Sequence, residues 1–536
     1  MNIFSFLPVL RFRSSIRHFI SLFALFALCC AAPCGIFAQA AQYDASSRVL
    51  EIRGKAAGET FGRPVIVADF DGDGMGDIIG GADRSACSGA ERPTLYCFRG
   101  WYPLVAKGQI DLASQPADML ILGDTGSTNL ATALAVGDVN GDTYPDLIAA
   151  DSTLSASGRT YCGVVFVVFG GPDFFSRATV DFALGQWDMR LIGAAAFDDV
   201  GGSLMFGGLQ SDGLAAGDLN GDGVDDMAIG AHLATAGTRS NAGKVYVILG
   251  SQSFASGTSL DLASQANLTI LGDEADAELG TAVRIGDITG DGLKDLVLGE
   301  ELGSTSGYFA SEGKIFIFRG RSPFLSGSIS VASADSRIIG KSAGDQLGSA
   351  VALADINQDG ICDVIATAPG WDPSGISNVD NGAIYAFFGK SAFPTLINMQ
   401  SGGSPDVIVK GFSISNAIGD TLVAGDFNKD GTGDFLFTSR DGGRAGYSGE
   451  GRAYIVLGRS SIPAQISLQN EEVDYIINGG ATGFQLGDTV AAGDVERDGA
   501  AEIFLAAPFL DSGTGRLLAF DLNPVASAKG AWAMYE

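Results

Sequence analysis

Apolar side chains along this chain come in short runs, mixed with small or polar residues and bounded by Gly, Asn and Asp. Between residues 189 and 250 the runs are Met189-Arg190-Leu191-Ile192, Leu214-Ala215-Ala216-Gly217, Met227-Ala228-Ile229-Gly230-Ala231 and Lys244-Val245-Tyr246-Val247-Ile248-Leu249. Runs of this length between turn residues predict strands rather than helices. The unit they define carries four strands, and variants of it fill most of the chain.

A polar pattern sits between the second and third of these runs: Asp218-Leu219-Asn220-Gly221-Asp222-Gly223-Val224-Asp225-Asp226. Loops of this kind begin at Asp69, Asp138, Asp218, Asp287, Asp355, Asp426 and Asp494, at intervals of 69, 80, 69, 68, 71 and 68 residues. A near-constant period marks one structural unit repeated. Oxygen-bearing residues occupy positions 1, 3, 5 and 9, and a glycine usually sits at position 6, where the backbone must turn sharply. Calcium takes six to eight oxygen ligands at about 2.3–2.6 Å, so the pattern predicts Ca2+ sites, up to seven of them. An EF-hand would need flanking helices and a Glu at position 12. Position 12 is instead Gly80, Ala149, Ile229, Leu298, Ala366, Phe437 or Leu505, and strand formers close each loop.

Seven four-stranded units suit a closed ring whose blades leave only short, protected edges. The expected fold class is therefore all-β: a seven-bladed β-propeller of four-stranded blades with calcium-binding loops. A lone strand, Val49-Leu50-Glu51-Ile52, precedes the first unit, and the last unit ends after Arg516-Leu517-Leu518-Ala519-Phe520. The N-terminal strand is accordingly expected to complete the last blade and latch the ring.

The expected boundaries are a signal peptide at 1–40, the propeller at 41–525 and a tail at 526–536. Arg11, Arg13 and Arg17 precede the apolar run Phe19–Leu28, and Ala38-Gln39-Ala40 has the small residues of a signal-peptidase site, so cleavage is expected after Ala40. No later segment has the roughly 18 consecutive apolar residues of a membrane span. The mature chain is expected to be soluble and secreted, periplasmic or at the cell surface. Of the cysteines beyond the leader, Cys87 and Cys97 flank one loop and could bridge it or remain small buried thiols, while Cys162 and Cys362 lie in different repeats.

The formal net charge is −29, and −32 once the leader with its three arginines is removed. Nucleic acid is excluded as a partner, because phosphate binding needs a basic face. Of the 62 acidic residues, 23 fall at loop positions 1, 3, 5 and 9, where they repel one another unless cations neutralise them.

These motifs resemble the FG-GAP repeats of integrin α-subunit heads and their bacterial relatives. Phe61-Gly62 and Phe206-Gly207 match the Phe-Gly element, with Leu279-Gly280, Leu347-Gly348 and Leu486-Gly487 as close variants and Asn129-Leu130 and Ile418-Gly419 as weaker ones. Ala368-Pro369 and Ala507-Pro508 keep most of the Gly-Ala-Pro element. The resemblance spans roughly residues 48–520. It implies a seven-bladed propeller with calcium in the loops between the first and second strands of each blade. The side-chain ligands it implies are Asp69, Asp71, Asp73 and Asp77; Asp138, Asn140, Asp142 and Asp146; Asp218, Asn220, Asp222 and Asp226; Asp287, Thr289, Asp291 and Asp295; Asp355, Asn357, Asp359 and Asp363; Asp426, Asn428, Asp430 and Asp434; and Asp494, Glu496, Asp498 and Glu502. Thr143 replaces the position-6 glycine of the second loop, Thr289 is a weaker ligand than Asp or Asn, and the longer Glu496 and Glu502 are expected to make the seventh site the weakest.

Two function classes remain, a binding or adhesion module and an extracellular hydrolase or lyase acting on polysaccharide or lipid-linked glycan. Beyond the leader the chain holds a single histidine, His232, and the conspicuous acids are taken by the loops, so no catalytic residue is assigned. The expectation is an extracellular protein or glycan partner, held on the face opposite the calcium loops. Candidate anchors there are Tyr308, Phe309, Trp371 and Tyr447, with Arg84, Glu91, Arg92, Arg159, Asp372 and Arg444 nearby, aromatics and arginine being common binding anchors. The extra residues of the 80-residue interval are expected around Phe197 to Met205.

Overall fold

The computed structural model describes residues 40–82, 92–101, 108–202, 213–304, 311–373, 380–412 and 417–522. Seven sheets stand around a common axis. Their innermost strands are Val65–Ala68, Leu134–Gly137, Leu214–Gly217, Val283–Gly286, Val351–Ala354, Leu422–Gly425 and Val490–Gly493, and each touches both neighbours, so the ring is closed. Small residues permit that approach: a Cβ on Gly493 would lie 2.5 Å from Val67 Cγ1.

In blade one, Val65–Ala68, Asp77–Ala82, Thr94–Phe98 and Met119–Leu122 pair antiparallel in chain order. The expected four-stranded blade needs correction, because each sheet has a fifth strand. Thr179–Asp181, from the stretch between the third and fourth strands of blade two, lies parallel against Met119–Leu122 of blade one. Thr258–Asp261, Gly327–Ser330, Leu396–Asn398 and Gln465–Ser467 do the same for blades two to five. These strands have three or four residues, too few for an apolar period to announce them. Their role is physical: they satisfy the N–H and C=O groups that an outer strand would otherwise present as a template for aggregation. Most are followed by one helical turn that the last strand residue caps, as Asp181 does by accepting from the Ala183 N–H at 3.0 Å.

The expected latch is present. Leu50–Arg53 pairs antiparallel with Arg516–Phe520 and supplies the fourth strand of blade seven, and Gln109–Asp111 covers it as the fifth. A second N-terminal strand, Ala41–Asp44, lies parallel to Tyr475–Asn478 and covers blade six. The seam also carries a buried charge. Glu51 is fully buried, with Arg516 Nη1 at 3.0 Å and Arg53 Nε at 2.6 Å. Burial alone would raise the Glu51 pKa, but the Arg53 hydrogen bond and the charges of Arg48 and Arg516 hold it below the ordinary value.

The core lies between successive sheets, and the Phe-Gly element wedges into it. Phe61, Leu130, Val200, Leu279, Leu347, Ile418 and Leu486 are buried. The residue after each has a positive φ, and Gly62, Gly201 and Gly280 donate N–H groups to Gly81, Gly230 and Gly299 of their blades' second strands. Two sequence assignments are thereby corrected. Val200-Gly201 fills this role in blade three, whereas Phe206-Gly207 lies outside the described residues. In blade two the element is Leu130-Ala131, one residue later than read, with Ala131 at φ 63°. The insertion falls between Gly202 and Gly213, after the motif rather than through it.

Deleting residues 41–54 removes the fourth strand of blade seven and the fifth of blade six, and the protein is expected to aggregate on size-exclusion chromatography. Deleting only 41–48 spares the closing strand and is expected to give a monomer of lower Tm. A monomeric 41–54 deletion with unchanged Tm would show that the latch does not hold the ring.

Candidate functional site

Each polar loop is wound around its own side chains. In the third, Asp218 Oδ2 accepts from the Gly223 N–H at 2.8 Å and Oδ1 from the Gly221 and Asp222 N–H groups at 2.6 and 3.1 Å. Asn220 Oδ1 accepts from Asp222 N–H and Asp222 Oδ1 from Val224 N–H. Such winding puts positions 4 and 6 in the left-handed region, at φ 77° and 85° for Gly221 and Gly223. The second loop keeps this shape with Thr143 at φ 77°, a strained conformation for a β-branched residue. Position 4 was not foreseen as a constrained site; Gln358, Lys429 and Arg497 occupy it at φ 65°, 61° and 54°.

Position 9 does different work from the rest. Asp77, Asp146, Asp226, Asp295, Asp363, Asp434 and Glu502 open the second strands and are fully buried. Asp226 Oδ2 accepts from Leu219 N–H at 3.0 Å, and Oδ1 from Gly250 N–H, just beyond the third strand, at 2.8 Å. Asp77, Asp146, Asp295, Asp363 and Asp434 repeat this with Gly100, Gly170, Gly320, Gly389 and Gly458. Burial, only partly offset by these N–H groups, raises the carboxyls to about 7, or about 6 for Asp295. Glu502 is pushed to about 9 by burial. Its Oε2 accepts from Val495 N–H at 2.7 Å, but its buried Oε1 has no hydrogen-bond partner among the described residues.

The loops are also tied to one another. The N–H at position 8 donates to the position-1 carbonyl of the preceding loop in the pairs Gly76–Asp494, Asp225–Asp138, Cys362–Asp287, Gly433–Asp355 and Ala501–Asp426. Loop two has Pro145 there and can make no such bond.

Carboxylate oxygens from three residues lie within 4.8 Å of one another in two loops, Asp69, Asp71 and Asp77 in the first and Asp494, Asp498 and Glu502 in the seventh. In the seventh loop the longer Glu502 reaches the cluster, while Glu496 is not among its members. In the first loop Arg99 Nε stands 2.7 Å from Asp71 Oδ2 and supplies part of the countercharge. In the second, third and sixth loops the Asn140, Asn220 and Asn428 amides donate to the position-5 carboxylates, a bridging role a cation would take over. The donor set fits a hard cation such as Ca2+. Among the described residues Glu502 Oε1 and the buried Thr289 Oγ1, in two of the loops, have no hydrogen-bond partner, and an ion would satisfy such groups.

The opposite face comprises the connections from second to third strand and from blade to blade. Among the described residues, the five exposed aromatics, Tyr161, Phe197, Phe412, Tyr447 and Phe509, all lie in these connections. Tyr447, 42% exposed, is where the sequence placed it. Trp371 is corrected: at 8% exposure it packs with Phe393 and Met399 in an inter-blade core, too buried to anchor a partner. Tyr308 and Phe309 lie outside the described residues. His232 is buried, neither ring nitrogen has a partner among the described residues, and burial lowers its pKa to about 4, which leaves a neutral structural imidazole. Cys97, Cys162 and Cys362 are free thiols, and Cys87 is outside the described residues.

Calcium is expected to raise Tm and chelation to lower it; one independent site at a hundred times its Kd adds about 2.7 kcal/mol. The position-9 carboxyls give this a pH signature. Their folded pKa values lie above the ordinary 3.8, so without ions the folded state binds more protons and loses stability as pH rises from about 4 to about 7. After exhaustive removal of calcium, Tm is therefore expected to fall between pH 5 and 8, and added calcium to cancel the fall; a pH-independent chelated melt would contradict this. Thr143→Gly is expected to raise stability by about 1 kcal/mol by relieving the left-handed strain, read from a urea titration.

A model of the FG-GAP repeat matches residues 212–248 and 347–387. The chain is similar to phosphatidylinositol-glycan-specific phospholipase D of Bos taurus, 30% identical over 177 residues, which cover 32% of this chain and 18% of that protein. The Dictyostelium discoideum protein of the same name is 24% identical over 397 residues, 72% of this chain and 40% of its own length. Integrin alpha-V of Gallus gallus is 27% identical over 322 residues, half of this chain and 28% of the integrin. The chain thus spans well under half of the length of these relatives, which include both an enzyme and a non-enzyme. The repeat match, the likeness to integrin alpha-V and the closed ring of seven blades together make this chain an integrin-like FG-GAP β-propeller.

Proposed function

We propose that this protein is an exported, calcium-stabilised propeller that binds an extracellular protein or glycan through the face opposite its polar loops. The observation that carries the reading is the confinement of Tyr161, Phe197, Phe412, Tyr447 and Phe509 to that one face. Half-exposed aromatics combine large contact area with little lost rotamer entropy, which makes them common anchors of interfaces. Tyr161 and Phe197 form a pair, ring centroids 6.0 Å apart. Export rests on the leader-like pattern of residues 1–40. No helix among the described residues is long and apolar enough to cross a membrane.

A second reading follows from the phospholipase likeness, in which the propeller serves a hydrolase acting on a lipid-linked glycan. The alignment with the Dictyostelium enzyme over 72% of this chain favours it. A binding function is preferred because the acids that dominate the composition repeat with the blades, and seven-fold repetition serves a scaffold better than a single reaction centre.

The calcium-loaded mature protein is expected to capture a partner on a glycan array or in a pull-down from extracellular material. The double variant Tyr161→Ala/Phe197→Ala should weaken that binding about tenfold or more, while Leu184→Ala on the outer rim should not change it. Loss of affinity in the rim variant alone would place the interface elsewhere. Release of product from a phosphatidylinositol-glycan substrate by the purified protein would favour the hydrolase.

A further inference from the structure

The connection between the second and third strands of blade six differs from its counterparts in a way that leaves an aromatic ring uncommitted. Ser152–Gly163, His232–Gly243 and Arg440–Gly451 are the same length in blades two, three and six. At the eighth position, blades two and three carry Arg159 and Arg239. Arg159 bonds the Asp261 carboxylate and the Gly193 carbonyl, and Arg239 bonds the Gly272 carbonyl, so both clamp one segment to the next. Blade six has Tyr447 at that position, 42% exposed, its ring against Arg444 of its own connection.

The surroundings of Tyr447 are held in place. Arg444 Nε and Nη2 each stand 3.0 Å from an oxygen of Glu450, and that carboxylate is fully buried and also accepts from the Arg444 and Gly480 N–H groups. The guanidinium carbon so fixed lies 5.1 Å from the Tyr447 ring centroid. Asp441 is held by Arg440 Nη2 at 3.1 Å and Gln485 Nε2 at 2.8 Å. Backbone bonds from Tyr447 N–H to Arg444 O and from Gly483 N–H to Ser448 O pin the loop to itself and to the approach to blade seven. Between these groups lies an open pocket of about 440 Å³, with Ser448 and Thr482 on its wall. That volume is within the usual range for small-molecule sites.

We infer that this pocket is a subsite for a neutral sugar ring, an inference that rests on reading this face as the binding face. Arg444 is paired with the buried Glu450, and Arg440 is shared between Asp441 and the buried Asp488. An acidic ligand would meet the exposed Asp441 carboxylate on a chain of net charge −29, and a cationic one would meet the Arg444 guanidinium on the pocket wall. A neutral, hydroxyl-rich ring avoids both costs. One apolar C–H face can lie on Tyr447, while hydroxyls bond the Tyr447, Ser448 and Thr482 hydroxyls, the outer edge of Arg444 and the Asp441 carboxylate; hydrogen bonds to charged groups are the strong ones. The paired side chains are ordered before the ligand arrives, so little entropy is lost on binding.

The test is titration calorimetry of the calcium-loaded mature protein with neutral oligosaccharides of glucose, galactose, mannose and N-acetylglucosamine, and with oligogalacturonate as the acidic comparison. At least one neutral oligosaccharide is expected to bind. Tyr447→Ala should weaken it tenfold or more with Tm unchanged, and Tyr447→Phe should stay within about threefold. Equal affinity in Tyr447→Ala, preference for oligogalacturonate, or no neutral ligand at all would overturn the subsite. The reading of the face is judged separately: a protein partner lost in the Tyr161→Ala/Phe197→Ala variant would uphold it even if every sugar failed.

Discussion

The architecture turns on one buried carboxylate per blade. The position-9 acid stands at the start of the second strand, where its two oxygens take one N–H from the polar loop and one from the glycine beyond the third strand. Three consecutive strands of a blade are thereby fixed at one end by a single side chain. Burying a carboxyl without partners would cost several kcal/mol, and two backbone donors offset much of that. The same group faces the loop's other carboxylates, so the scaffold and the cation site cannot be separated: what positions the strands also concentrates the negative charge.

The repeat then propagates this unit around a circle, and the seam is where the unit is incomplete. Blade seven has Leu522 where the other blades have the glycine that serves the position-9 acid, and Glu502 Oε1 has no hydrogen-bond partner among the described residues. Loop seven also leans on loop one through Arg497, whose Nη1 donates to Asp73 O at 3.0 Å, beside the Gly76 N–H to Asp494 O bond that other neighbouring loops share. The two loops in which carboxylate oxygens converge are those that flank this seam. Ring closure is thus carried by the N-terminal strands, with the Glu51–Arg516 pair inside their pairing with the last strand, and by the loop contacts, and a cation at either cluster would act on the same junction.

Much of this was legible because it repeats. The seven loops, the strand-like runs, the closed ring and the latch follow from period and pattern, since a side chain that recurs every 70 residues or so declares its register. What did not repeat cleanly was misread. Phe206-Gly207 looks like the motif, but Val200-Gly201 has the backbone role, because a positive φ and a buried side chain matter there rather than an aromatic. Trp371 has the residue type and the connection expected of a surface anchor, yet the ring fills space between blades. The exchanged fifth strands were invisible because their pairing is set by a neighbouring blade. A recurring Asp or Asn just before the fourth strand is a further signal in the sequence: Asp188, Asn267 and Asp406 accept the N–H groups of Phe169, Leu249 and Phe388 and so hold the third strand to the fourth.

The division of labour between the two faces follows from how a blade is wired. The loop face is constrained by hydrogen bonds within and between loops, so most substitutions there disturb a neighbour, and Pro145 and Thr143 mark where the second loop already departs from the rule. On the other face, described connections bond to the segment that leads into the next blade, as Phe197 N–H does to Thr160 O and Asp276 N–H to Ser240 O. Arg159 and Arg239 show such a connection used as a clamp, and Tyr447 shows the same position released from it. Replacing a clamping arginine costs blade six an inter-segment bond, but the Arg444–Glu450 pair within the loop restores order locally. A repeat protein can in this way free one connection for recognition without loosening the ring, because each blade depends on its carboxylate at the far end rather than on the loop that changed.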